Sequence, residues 1–141
     1  MLALQYARRW QAAGLMLLLM VLAATLMPAV WFFSDRQSFI TWFVHVDKWL
    51  HAVTFVVLAI WFAGQYRPGS YWRIGIGLIL FGVLIEICQR MVTYRSAELF
   101  DLVADAGGIM VGLGIAAAGM GGWSLRMEKW FAQRSVGAER D

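Results

Sequence analysis

Two acids sit where an apolar helix should not hold them. Glu86 lies in Leu84-Ile85-Glu86-Ile87-Cys88-Gln89, and Asp105 in Leu102-Val103-Ala104-Asp105-Ala106-Gly107-Gly108. Asp47, Lys48 and His51 precede them, Gln89 and Arg90 follow Glu86, and Arg95, Ser96, Glu98 and Asp101 lie between the two. A carboxylate in a transmembrane segment costs on the order of 2.5–3.5 kcal/mol even on the lenient insertion scale, so it marks a candidate site. Arg95, Arg90 and Lys48 supply donors for a phosphate or carboxylate, the arginines in bidentate fashion. Glu86, with Asp105 or His51, would be the acid/base pair if a reaction occurs, since a carboxyl buried near another acid tends to keep its proton. No nucleophile stands out: Ser96 has no evident base and reads more simply as a turn or capping residue. Binding is therefore favoured over catalysis.

Plainer explanations exist for single members of this set. Asp47 and Asp101 open helices, where they meet unpaired backbone N–H groups and the positive end of the dipole. Arg90 or Arg95 would neutralise Glu86 or Asp105 in an interhelical ion pair, and His51 alone reads as a satisfied interfacial histidine. The convergence of several acids, two bases and a histidine at one level weakens those explanations for the set as a whole. His51, Asp47, Glu86, Asp101 and Asp105 offer nitrogen and oxygen ligands to a divalent ion. Their spacing is not diagnostic and the arginines oppose it, so no metal and no cofactor is expected. Cys88 lies off the Glu86 stripe and reads as packing, as do the eight methionines.

These residues need helices to hold them. The chain has 141 residues, 61% hydrophobic and 15% charged, with a mean hydropathy of +0.64. A soluble domain carries charge on about a quarter of its residues. A water-exposed globule is thus excluded, and the long uncharged runs exclude a disordered chain. One cysteine allows neither an internal disulfide nor a cysteine-rich zinc site. The net charge of +3 and pI near 9.4 do not point to nucleic acid. The bases are scattered between apolar runs, as orientation in a membrane requires. The reading is an all-α polytopic membrane protein, a single domain over 1–141, with four transmembrane helices in a compact bundle and no internal repeat.

About 20 apolar residues cross the hydrocarbon core. Spans are expected at 10–34, 49–66, 71–91 and 102–125, with a tail over 126–141. The first is read as an uncleaved helix, because the run after Arg8 and Arg9 exceeds the roughly 7–15 residues of a signal core. Pro28 is tolerated near its end. With the N-terminus inside, Arg8, Arg9, Arg67, Arg73, Arg126, Lys129, Arg134 and Arg140 fall inside, against Arg36, Lys48, Arg90 and Arg95 outside. Both termini are therefore expected in the cytoplasm. Trp10, Trp31, Trp49, Trp72 and Trp123 fall near span ends, as an interfacial belt would. Phe39, Trp42, Phe43, Val46 and Leu50 in the first loop, and Trp123, Met127 and Trp130 in the tail, have the spacing of two helices lying on the bilayer surface. On the fourth helix, Asp101, Asp105, Gly108, Gly112, Ala116 and Gly119 share one face; on the third, Gly75, Ile79, Gly82, Glu86 and Gln89 do. Small residues let helices approach closely, so the acids on those faces should point into the bundle near its outer mouth.

The chain resembles the VanZ-like family of small bacterial membrane proteins over roughly residues 15–120. The resemblance is carried by Asp47-Lys48-Trp49-Leu50-His51, Glu86-Ile87-Cys88-Gln89, Arg95-Ser96, Asp101 and Ala104-Asp105-Ala106-Gly107-Gly108. Asp-Lys-x-x-His is weak alone and fairly specific with the other two motifs. The family often has Asn where this chain has Asp105, and Pro-Gly where it has Thr93-Tyr94. The resemblance implies a four-span fold in a bacterial inner membrane. Its name comes from a protein linked to teicoplanin resistance, and antibiotic resistance is not carried over.

Three functions compete. The first is an outward-facing pocket of Asp47, Lys48, His51, Glu86, Gln89, Arg95, Asp101 and Asp105 that binds a membrane lipid or a lipid-linked envelope molecule. The second is an accessory or scaffold protein, in which the cluster fixes the bundle and a lipid-facing surface meets a protein partner or a second copy. The third, a small transporter, is disfavoured because the polar groups gather at one mouth while the inner halves of the helices read as apolar.

Overall fold

Long uncharged runs of Leu, Ile, Val and Ala make helices here, since in lipid each backbone polar group must be satisfied within its own segment. The computed structural model describes the backbone of residues 1–26, 36–91 and 99–138, and the side chains of 1–26, 48–91 and 100–134. The described elements are α1 (Ala7–Leu26), α2 (Arg36–Ala63), α3 (Tyr71–Arg90), α4 (Leu99–Ile115) and α5 (Trp123–Ala138). A short 3-10 turn at Pro68–Ser70 joins α2 to α3, and a wide helical turn at Ala116–Met120 ends α4. No strand occurs among the described residues.

Three stretches among the described residues are long and apolar enough to cross a membrane: Ala7–Leu26, Pro68–Arg90 and Phe100–Met120. They are compatible with a multi-pass membrane protein. Their outer faces carry bare apolar side chains, among them Leu15 and Leu19 on α1, Leu80 and Leu84 on α3, and Val103 and Met110 on α4. A fourth apolar stretch, Lys48–Ala63, is shorter.

Helix α1 is described as far as Leu26; the rest of the expected first span, with Pro28 and Trp31, lies outside the described residues. Further along, expected boundaries differ. The first-loop segment is not a separate surface helix: α2 runs unbroken for 28 residues from Arg36, so residues 36–48 continue into the expected second span. The fourth helix does not reach Leu125. It stops at Gly119 and Gly122, whose φ values of 138° and 67° lie in the left-handed region that side-chain-bearing residues rarely adopt. Trp123, Ser124 and Leu125 belong instead to α5.

The expected small-residue face of α4 packs on α2. A Cβ on Gly108 would collide with the backbone carbonyl of Ala52, and one on Gly112 would lie 2.6 Å from Val56 O. Glycine at both positions lets the two backbones touch. Behind this seam Phe55, Leu58, Ala59, Leu78, Ile85 and Ile109 form the apolar core of α2, α3 and α4. Helix α1 adds Leu17, Leu18, Val21 and Leu22, and its Gly14 admits the Phe62 ring.

Helix α5 was expected to rest on the bilayer, and it does leave Met127 and Trp130 exposed. Its other face caps three helix ends. A helix leaves its first N–H and last C=O groups without intrahelical partners, and burying them unpaired is costly. At the C-terminal end of α2, Trp123 Nε1 donates to Ile60 O at 3.1 Å and Ser124 Oγ donates to Gly64 O at 2.5 Å. The Gly122 N–H reaches Ala63 O at 3.2 Å. Arg126 donates to Gly121 O at 2.8 Å and to Met120 O at 3.3 Å, meeting carbonyls at the end of α4. At the start of α1, Glu128 accepts from Gln5 N (2.7 Å), Tyr6 N (3.0 Å) and Trp10 Nε1 (2.8 Å). Trp10 and Trp123, both expected in an interfacial belt, pack with Trp61 in a three-ring cluster with centroids 5.2–5.9 Å apart.

Burial alone would raise the Glu128 carboxyl, but the Tyr6 and Gln5 amides and the Trp10 indole outweigh it and hold it below the usual glutamate range. The native state therefore binds this proton less readily than the unfolded chain does. The stabilisation is present above the ordinary glutamate value of about 4.3 and is lost as pH falls through the lower native value. Glu128→Ala is expected to cost about 1–2 kcal/mol, the range of a helix N-cap. Protection of the Gln5 and Tyr6 amides against hydrogen exchange, relative to the intrinsic rate at the same pH, should fall in the variant, and in wild type only as pH drops below the ordinary glutamate value of about 4.3. Unchanged exchange in Glu128→Ala would show that the cap does not hold α1.

Candidate functional site

Close contact of α2 and α4 sets the geometry of the polar cluster. The backbones touch at Ala52 and Gly108, next to His51 and one turn from Asp105, so a side chain as short as aspartate spans the gap. His51 Nδ1 lies 2.9 Å from Asp105 Oδ1, with the two residues 4% and 0% exposed. An ionised carboxylate only accepts, so with Asp105 ionised Nδ1 carries the hydrogen and donates it. In a neutral ring that leaves Nε2 as the basic nitrogen, the arrangement that orients a histidine for proton transfer or ligand binding. Gly82 on α3 makes room for this pair: a Cβ there would stand 2.7 Å from Asp105 Oδ2.

One turn earlier on each helix, Lys48 Nζ lies 3.8 Å from Asp101 Oδ1, the lysine about one-third exposed and the aspartate buried. Glu86 enters from α3, 8% exposed, within electrostatic reach of Asp101, His51, Asp105 and Arg90. Its Oε1 is buried and has no hydrogen-bond partner among the described residues. Gln89, also buried, turns toward α1 and donates from Nε2 to Thr25 O at 3.4 Å.

The structure thus brings together Lys48, His51, Glu86, Asp101 and Asp105 and places Gln89 at their edge. Asp47 lies on α2, its side chain outside the described residues; Arg95, Ser96 and Glu98 lie outside them altogether. Arg90 is exposed, and among the described residues Asp105 meets His51. Among the described residues no three His, Cys, Asp or Glu side chains are placed to hold a metal ion.

The opposite end is not apolar, contrary to the sequence reading. Gln65, Ser124 and Glu128 are buried there. Glu128 was missed because a glutamate beside Arg126 and Lys129 looks like part of a solvated face. The available signal was its spacing of four from Ser124, which puts both on one face of α5. Between the two polar ends Phe55, Leu58, Leu78 and Ile109 fill the interior.

Comparison with models of protein families, with curated proteins and with solved structures finds no match for this chain.

Proposed function

We propose that this is a four-span membrane protein of VanZ-like type, seated in a bacterial inner membrane with both termini cytoplasmic. Its outward-facing pocket binds a lipid-linked or cell-envelope molecule through a phosphate or carboxylate. The observation that carries this reading is the buried His51–Asp105 pair beside Lys48–Asp101, with a buried Glu86 oxygen that has no hydrogen-bond partner among the described residues. A purely structural polar cluster would be expected to satisfy that oxygen, because an unpaired buried acceptor costs about 1–3 kcal/mol. A ligand that donates to Glu86 while its anion meets Lys48 and Arg95 removes the cost.

Four spans are supported by the alternating helix directions. The Leu2 amide reaches Gln65 O at the end of α2, Gln89 reaches Thr25 at the end of α1, and α5 returns to the start of α1. The apolar plug between the polar ends speaks against a transport path. Native mass spectrometry of gently extracted protein tests the reading, comparing wild type with Arg95→Ala and Lys48→Ala. An adduct of lipid-phosphate mass should be present in wild type and weakened about tenfold in each variant, the effect of losing one charged hydrogen bond. Equal adducts at equal abundance would refute the pocket. Loss of protein level without any adduct would favour the accessory or scaffold reading.

A further inference from the structure

A cavity lies at the other end of the helices from the His51 cluster. It is a cleft of about 450 Å³ between α1, α2 and α3, in the size range of small-molecule sites. Its walls are apolar: Leu18 from α1, Phe62 from α2, and Leu78 and Phe81 from α3. Its polar groups sit at one end, where α3 begins with Ser70 and Arg73. From Arg73 to Phe81 the helix rises about 12 Å, and from Arg73 to Glu86 about 20 Å, so this cleft is separate from the His51 cluster.

We propose that the cleft is a phospholipid site, with one acyl chain lying between α1 and α3 and the lipid phosphate held by Arg73. Three observations support this occupant. The cleft runs into α1 and α3, both long and apolar enough to cross a membrane, so a chain inside it meets the same surroundings as in the bilayer. Arg73 is exposed at the mouth with its guanidinium 5.1 Å from the Trp72 ring centroid. Tryptophan and arginine at a span end belong at the headgroup level, where an arginine binds phosphate in bidentate fashion. Gly77 lines the wall, and a Cβ there would meet nothing within 4 Å. The glycine therefore serves no close helix contact, and what its missing side chain leaves is room in the cleft.

The test uses phosphatidylglycerol with a diazirine at the acyl terminus, mixed into phosphatidylcholine vesicles holding the full-length protein. After irradiation, labelled peptides are mapped by mass spectrometry. Labelling should concentrate on Leu18, Leu78 and Phe81 over the outward residues Leu15, Ile76 and Leu80. Gly77→Leu fills the cleft and should reduce cleft labelling to the level of those outer faces; Gly77→Ala leaves space and should preserve it. Arg73→Gln should lower it about tenfold, as expected for a charged hydrogen bond, with the His51 cluster untouched. Uniform labelling of all lipid-facing residues would overturn the proposal, as would full cleft labelling in Arg73→Gln. Equal cleft labelling by a diazirine fatty alcohol, which has no phosphate, would also overturn it. If Gly77→Leu fails to fold, the Arg73→Gln and fatty-alcohol arms still decide.

Discussion

Replacing Gly108 with alanine should cost about 3 kcal/mol, the upper part of the range for overpacking a tight interior. The added methyl would collide with the carbonyl of Ala52, and a backbone atom cannot rotate away as a side-chain end can. Either α2 and α4 separate or both helices bend. Separation would also break the short reach between His51 and Asp105, so the variant should lose the pocket together with its stability. The neighbouring Gly107→Ala is the control. Nothing lies within 4 Å of its Cβ, and alanine in place of a helical glycine changes stability by at most about 1 kcal/mol, in the stabilising direction. Thermal unfolding in detergent, followed by circular dichroism, reads both. A Gly108→Ala protein that melts with Gly107→Ala would mean the helices are not in contact there.

Asp105 should show the second large effect, and its form separates a structural role from a functional one. Asp105→Leu leaves His51 buried against an apolar side chain, which should cost about 3 kcal/mol, as when one member of a buried pair is removed. Asp105→Asn keeps an oxygen acceptor for His51 Nδ1 and should cost about 1 kcal/mol. The double variant His51→Leu/Asp105→Leu removes both polar groups and should regain most of the stability lost in Asp105→Leu. On the pocket reading, that stable double variant no longer binds the envelope molecule. If it retains the wild-type adduct in native mass spectrometry, the pair serves the fold alone.

Much of the helical arrangement was legible because composition and period act locally. The uncharged run after Arg9 and the small residues at Gly108 and Gly112 announce an apolar helix and a close seam without reference to any other part of the chain. Partners were not legible. Asp105 meets His51 across 54 residues, a pairing that one-dimensional spacing does not single out; spacing pointed to Arg90 or Arg95 as the neutralising group. The break at Gly119–Gly122 did have a local signal, the three glycines in Gly119-Met120-Gly121-Gly122. It was overridden because Trp123 and Leu125 prolong the apolar run. The surface-helix reading of residues 39–50 failed for a related reason: an amphipathic period does not say whether a helix ends before the next span or runs into it.

Biosynthesis gives the capping by α5 a further consequence. Trp10 and Glu128 are 118 residues apart, so α1 to α4 have all been synthesised before the group that closes the first of them is added. A product cut short ahead of Trp123 would contain α1 through α4 and still show bare amides at Gln5 and Tyr6 and lack the Ser124 hydroxyl that meets the Gly64 carbonyl. Exposed backbone of this kind frays, and frayed helix ends at a membrane surface are where proteases gain entry. Copies with and without α5 would then differ in lifetime through the hydrogen bonds that it forms.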